Sequence, residues 1–224
     1  MKFEMHMHTS EVSPCAKRRA FEGIKDYKEA GYDGVVITDH FNDYVLESFN
    51  GSDEERVTRY LEGYHRAKEA GDTLGIKVLF GIETCLQGAQ DDFLIYGVTP
   101  EFLYEYPKLY EMSLEKLCES VHQAGGLVIQ AHPFRGYCQI RDPKFLDGIE
   151  VFNGNPRHDS RNYSAVEFVE KHSNLIQTSG SDYHESGDVA RGGMEFTMNI
   201  CSEQNLKEAL VLGKYHLLGL TEEK

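Results

Sequence analysis

Short apolar runs alternate with amphipathic stretches along nearly all of the chain's 224 residues. The runs are Lys2–His8, Gly34–Thr38, Ile76–Ile82, Phe93–Val98, Leu127–Ala131, Gly148–Phe152, Leu175–Thr178, Met194–Asn199 and Tyr215–Leu218. Their lengths and their β-branched and aromatic content predict strands. Helices are expected between them. The first runs from near Pro14 to about Ala30, closed by Gly31. The second runs from Asp53 to Ala70, stopped by Gly71. Others cover Ser113–Ala124, Ser160–His172 and Glu203–Leu212. The polar stretches Phe41–Ser52 and Thr84–Asp92 read as loops. Strand-helix alternation with short apolar strands predicts an α/β chain, one domain over residues 1–224, with a parallel sheet covered by helices.

The polar residues that end these runs change the picture. His6 and His8 lie two apart on a strand, so both imidazoles point to one face. Asp39 and His40 follow the second strand, Glu83 ends the third, His132 follows Leu127–Ala131, and Asp182 and His184 follow the strand beginning at Leu175. If the chain closes into a (β/α) barrel, all eight reach the face where strand C-termini meet. A mixed histidine and carboxylate set suits zinc, manganese or iron better than calcium. No GxGxxG follows the first strand and no GxxxxGK[ST] loop is present, so a nucleotide-binding open sheet has no motif behind it.

Charge and cysteine content narrow the function classes. A formal net charge of −14 disfavours an extended nucleic-acid surface or an anionic membrane as partner. The five cysteines are scattered without a CxxC pair, which fits reduced thiols and a cytoplasmic location. No apolar run is long enough to span a bilayer.

The motifs His6-Met7-His8-Thr9, Thr38-Asp39-His40, Gly81-Ile82-Glu83, Ala131-His132-Pro133 and Ser181-Asp182-Tyr183-His184 together resemble the PHP (polymerase and histidinol phosphatase) family. The resemblance implies a distorted (β/α)7 TIM-like barrel holding two or three divalent ions of zinc, manganese or iron. It implies that His6, His8, Glu83 and Asp182 hold one ion, that Glu83 bridges to a second held by His132, and that His40 and His184 belong to a third. Two positions depart from the family pattern. The loop after His8 offers Glu11 or Cys15 where many members have His or Asp, and Phe93 stands where many have a histidine, leaving Asp91 or Asp92 to compensate. Asp39 is a candidate ligand or an orienting group.

The resemblance implies phosphoester hydrolysis of a small phosphorylated metabolite by metal-activated water, with Asp39, Glu83 and His184 as candidate catalytic groups. Arg135, Arg157, Arg191 and Asn153 are candidate substrate contacts, because each follows a strand end and can bond a phosphate. Two other readings compete: a metal-dependent hydrolase of a non-phosphate bond, amidohydrolase-like, and a catalytically silent binding module of the same fold.

Overall fold

The computed structural model describes residues 1–220. Its strands are β1 (Lys2–Met7), β2 (Gly34–Ile37), β3 (Lys77–Phe80), β4 (Ile82–Cys85), β5 (Asp92–Tyr96), β6 (Leu127–Gln130), β7 (Gly148–Asn153), β8 (Ile176–Gly180), β9 (Gly193–Phe196) and β10 (Tyr215–Leu218). The α-helices are α1 (Ala20–Glu29), α2 (Asp43–Ser48), α3 (Asp53–Tyr60), α4 (Glu62–Leu74), α5 (Glu101–Glu105), α6 (Leu114–Gln123), α7 (Asn162–Lys171) and α8 (Glu203–Val211). Among the described residues, no helix is long and apolar enough to cross a membrane.

The strands form two five-stranded sheets, ordered β10-β9-β1-β2-β3 and β4-β5-β6-β7-β8. Among the described residues the strands form no single closed sheet, so the expected distorted barrel is not confirmed. The sheets meet through isolated bridges at Met7–Tyr183 and His40–Glu83. Both bridges lie beside the polar strand ends, so the seam between the sheets is also where the candidate ligands gather. The sheets are mixed rather than parallel: β5 runs antiparallel to β4 and β6, and β9 runs antiparallel to β1 and β10.

The expected strand Ile76–Ile82 is two strands in different sheets, divided at Gly81. A Cβ there would stand 2.8 Å from Val36 Cγ1, 3.0 Å from Thr38 Cγ2 and 3.3 Å from the Ile95 carbonyl oxygen. Glycine lets the chain cross from one sheet to the other through a gap with no room for a side chain. The expected helix Asp53–Ala70 is also two, broken at Leu61, and α4 runs past Gly71 to Leu74. Gly71 lies against Ile76 and Val78, so it serves close packing on β3. The helix ends instead at Gly75, in left-handed conformation at φ 67°. The stretch read as a loop over Phe41–Ser52 contains α2, started by Asn42, whose side chain accepts from the Val45 N–H. The first helix begins at Ala20, and Thr9–Arg19 forms a loop over the site.

One apolar core is shared by both sheets, with Phe3, Met5, Val36 and Leu79 from the first facing Leu94, Tyr96, Leu127 and Ile129 from the second. A second core packs Ile24, Tyr27, Ala67 and Ala70 of α1 and α4 on Val35, Ile37 and Val78. The interior that carries the site is therefore fixed from both sides, which favours a preorganised arrangement of its side chains.

Candidate metal centre

His6 and His8 are fully buried, with ring centroids 5.1 Å apart. Glu83, on β4 in the opposite sheet, lies between them and two further histidines. Its Oε1 is 3.1 Å from His6 Nε2 and 3.3 Å from His132 Nε2. Its Oε2 is 2.7 Å from His40 Nδ1 and 3.4 Å from His8 Nε2. Asp182 Oδ1 stands 3.6 Å from His6 Nε2, 3.4 Å from His8 Nε2 and 3.4 Å from His184 Nδ1. Three groups have ligand atoms close enough together to hold an ion: His6, His8 and Glu83; Glu83, Asp92 and His132; and His8, His40 and His184. The two HxH Nε2 atoms and Glu83 Oε2 are buried without a hydrogen bond of proper geometry. Buried polar atoms are ordinarily satisfied, so three orphaned ligand-type atoms facing one another fit a cation.

Electrostatics agree with that. Burial raises the Glu83 carboxyl, but the positive charge of His6 and His40 outweighs it and holds the group well below its ordinary range. Asp182 behaves alike: burial raises it, and His6, His8 and Arg135 bring it well below. Burial lowers His6, yet Glu150, Glu83 and Asp182 lift it well above its usual value. Such a cage favours a positive charge, whether a proton or a metal ion.

Two site residues carry strained backbone. His132 has φ 28° and Asp182 has φ 52°, a region L-residues with a Cβ rarely occupy. Each sits just past a strand, where the left-handed turn aims its side chain back towards the cluster. Such strain persists only where the surroundings hold it.

The departures from the family pattern resolve by contact. Asp92 Oδ2 lies 3.7 Å from His132 Nε2, so of the two acids beside Phe93 it is Asp92 that reaches the cluster. Burial and Glu83 raise its carboxyl to about 6. Asp91 turns away to Arg141 and to the Gln139 N–H. Glu11 caps the first helix by accepting from the Ala20 N–H at 2.9 Å, and so does not join the cluster. Cys15 does line the cavity. Burial raises its thiol, but His184 and His40 outweigh this and bring it down to about 6.

Asp39 does not line the cavity. Its carboxylate accepts from the Thr9 N–H, the Thr9 hydroxyl and the Ser13 hydroxyl, each at 2.7 Å. Ser13 Oγ in turn lies 3.4 Å from His8 Nδ1 and accepts from the His40 N–H. Asp39 therefore shapes the loop that supports His8 and His40, which is the orienting alternative rather than the ligand one.

The cavity has a volume of about 260 Å³ and a floor formed by Glu83, Asp92, His132 and Asp182. The candidate substrate residues are distributed unevenly around it. Arg135 lines it but is 6 % exposed, with Nη2 at 2.5 Å from Asp182 Oδ2 and 2.9 Å from Asn153 Oδ1. Arg157 lines it and pairs with Asp188 at 2.6 Å and Glu185 at 3.2 Å. Asn153 is buried beneath, donating to Glu150 and Asp182. Arg191 is off the cavity, its Nε donating to the Gly187 carbonyl. Sequence reasoning missed Glu150, whose signal was a charged residue inside the apolar run Gly148–Phe152. Tyr137, Asn155 and His158 also line the wall. A larger open groove of about 670 Å³ beside α3 and α4 carries surface ion pairs such as Arg59–Glu62 and Arg66–Glu69, and holds none of the metal-ligating groups.

This chain belongs to the PHP domain family, whose model matches residues 4–210. The uncharacterized protein MJ1587 of Methanocaldococcus jannaschii is 26% identical over 185 residues, which cover 76% of this chain and 92% of that one. Among solved structures, a two-domain Bacteroides vulgatus protein described as containing a predicted PHP-like metal-dependent phosphoesterase superposes with a TM-score of 0.71 at 19% identity. That match covers 97% of this chain, which spans 64% of the Bacteroides protein. A Chromobacterium violaceum protein described as an amidohydrolase, with bound sulfate and no metal, superposes at 0.59 with 15% identity over the full length of both. At these identities the structural matches establish the fold.

Proposed function

We propose that the protein is a metal-dependent phosphoesterase that hydrolyses a small phosphorylated metabolite by metal-activated water. The observation that carries this reading is Glu83, which stands among four histidines, its Oε1 near His6 and His132 and its Oε2 near His8 and His40. A carboxylate so placed can bridge two ions. Glu83, His6, His8 and Asp182 would hold the first ion, Glu83, His132 and Asp92 the second, and His40 and His184 a third, with Cys15 beside it. Bound divalent ions of zinc, manganese or iron would lower the pKa of water and neutralise charge on a phosphate in flight.

The chain's own residues do the rest. Arg135 and Asn153 hold Asp182 Oδ2, leaving Oδ1 turned to the histidines. His184 Nδ1 lies 2.9 Å from the Asp182 carbonyl oxygen, which leaves Nε2 free to hold an ion or to give a proton to a leaving alkoxide. Tyr137, Arg157 and His158 wall the opening and exclude all but a small group. The floor and the burial of the ligands keep bulk water out, which strengthens every charge interaction within.

One observation favours a second reading, hydrolysis of an amide or lactone. Both cavity guanidiniums already face carboxylates, so no unpaired arginine waits for a phosphate. The experiment is metal analysis of protein purified without added metal or chelator, paired with p-nitrophenyl phosphate turnover. Two or three equivalents with turnover lost on chelation supports the phosphoesterase. Bound metal with carboxylate but no phosphate release across a substrate panel supports the second reading. Absence of bound transition metal and no gain of activity on adding it overturns both.

A further inference from the structure

Glu150 lies in the middle of β7, buried to 1 % exposure, and reaches three elements at once. Its Oε1 is 2.9 Å from His6 Nδ1. Its Oε2 accepts from the His132 N–H at 3.0 Å and from Asn153 Nδ2 at 2.8 Å. Two of those partners are groups the cluster depends on directly, and the third, Asn153, touches Asp182. Gly180 makes the approach feasible: a Cβ there would stand 2.5 Å from His6 Cβ and 3.0 Å from Glu150 Oε1. The carboxylate is not itself among the groups that could hold an ion.

We infer that Glu150 is a positioning residue that fixes His6 with its proton on Nδ1, leaving Nε2 bare for a metal ion, and that anchors the strained turn at His132 with its other oxygen. The chemistry of the donors requires an acceptor-only group. A carboxylate can accept from His6 Nδ1–H on one oxygen and from a backbone N–H and an amide on the other. A glutamine cannot. With its oxygen towards His6, its amide faces the His132 N–H and the Asn153 amide. With its oxygen towards His132, its amide faces His6 Nδ1 and drives the proton to Nε2, the atom aimed at the cluster. Asn153 cannot relieve the conflict by flipping, because its Oδ1 already accepts from Arg135 and from the Asn155 N–H. Carboxylates behind ligating histidines fix tautomer and ring orientation, and their loss lowers metal affinity about 10–100-fold.

The test is Glu150→Gln, with two readouts that do not depend on turnover. The first is zinc affinity by chelator competition, expected to fall about 10–100-fold in a variant whose metal-free amide spectrum matches the parent's. The second is the ¹⁵N signature of His6 in the zinc-loaded parent, expected to show a protonated Nδ1 and a metal-bound Nε2. Parent-like zinc affinity in Glu150→Gln, or a metal-bound or unprotonated Nδ1 in the parent, would overturn the inference. Should the variant fail to fold, the parent spectrum alone decides. The inference rests on the metal-centre reading and not on the bond cleaved. Lost affinity with no phosphate release from any substrate would retire the phosphoesterase and leave the role of Glu150 standing. Phosphate release at the parent's rate, with parent-like zinc affinity, would do the reverse.

Discussion

Replacing Arg135 by methionine separates two roles its guanidinium could have, gripping substrate or holding Asp182. The structure favours the second. Arg135 and Asp182 are 6 % and 2 % exposed, and their contact is 2.5 Å. Without Arg135, Asp182 Oδ2 would keep Asn153 Nδ2 at 3.3 Å as its side-chain donor. Removing one partner of a buried pair costs about 3–5 kcal/mol when the other charge stays uncompensated; here His6 and His8 still face Asp182 Oδ1 at 3.6 and 3.4 Å, so that range is an upper bound. For a chain of this length each kcal/mol moves the midpoint by about 2–4 °C, so Arg135→Met should melt lower by up to roughly 6–20 °C. The assay is thermal unfolding of chelator-treated protein for the parent, Arg135→Met, Asp182→Asn and the double variant. The double variant should lose at least about 1 kcal/mol less than the two singles added together, the mark of residues in direct contact. A single variant that melts with the parent while KM rises and kcat holds would refute this reasoning and return Arg135 to the substrate.

Other perturbations probe separate parts of the structure. Asp92→Asn should lose the weakest-held metal equivalent and keep the others, read by metal analysis after gel filtration; loss of all of them or of none contradicts the separate Glu83–Asp92–His132 group. Gly81→Ala should destabilise by about 1–3 kcal/mol in urea unfolding, because its Cβ would press on Val36 and Thr38; an unchanged midpoint would mean the sheets separate there easily. Burial raises Glu4 to about 7, against hydrogen bonds from Ser181, Tyr27 and His6. Its protonated form is favoured in the fold, so its contribution is full below pH 4.5 and is lost as pH rises to 7, on the order of 3 kcal/mol. Glu4→Gln keeps the neutral hydrogen-bonding pattern, so its stability relative to the parent should rise between pH 4.5 and 7.5; a pH-independent difference would sink the assignment.

What the sequence made legible was what neighbouring residues fix locally. HxH on a strand places two imidazoles on one face by alternation alone, and the five motifs located every member of the cluster except Asp92, left open between two acids. Periodicity decides that choice only once the strand's first residue is known: β5 begins at Asp92, whose carboxylate turns to His132, while its neighbour Asp91 turns the other way, to Arg141. Partners far apart in the chain were hidden for a different reason. Arg135 looked like a phosphate contact because its partner Asp182 is 47 residues away, and nothing local marks the pair. Arg157 is the same case, answered by Asp188 31 residues on. The barrel detail of the expectation is not confirmed, for a geometric reason. Alternating strands and helices carry no signal for antiparallel β5, β9 and β10, nor for the steric gap at Gly81 that divides one apolar run between two sheets. Yet the same division puts Glu83 on the sheet facing His6 and His8. Were the run continuous with β3, Glu83 would extend the sheet that already holds the HxH pair; the crossing is what lets one carboxylate approach histidines from both sheets.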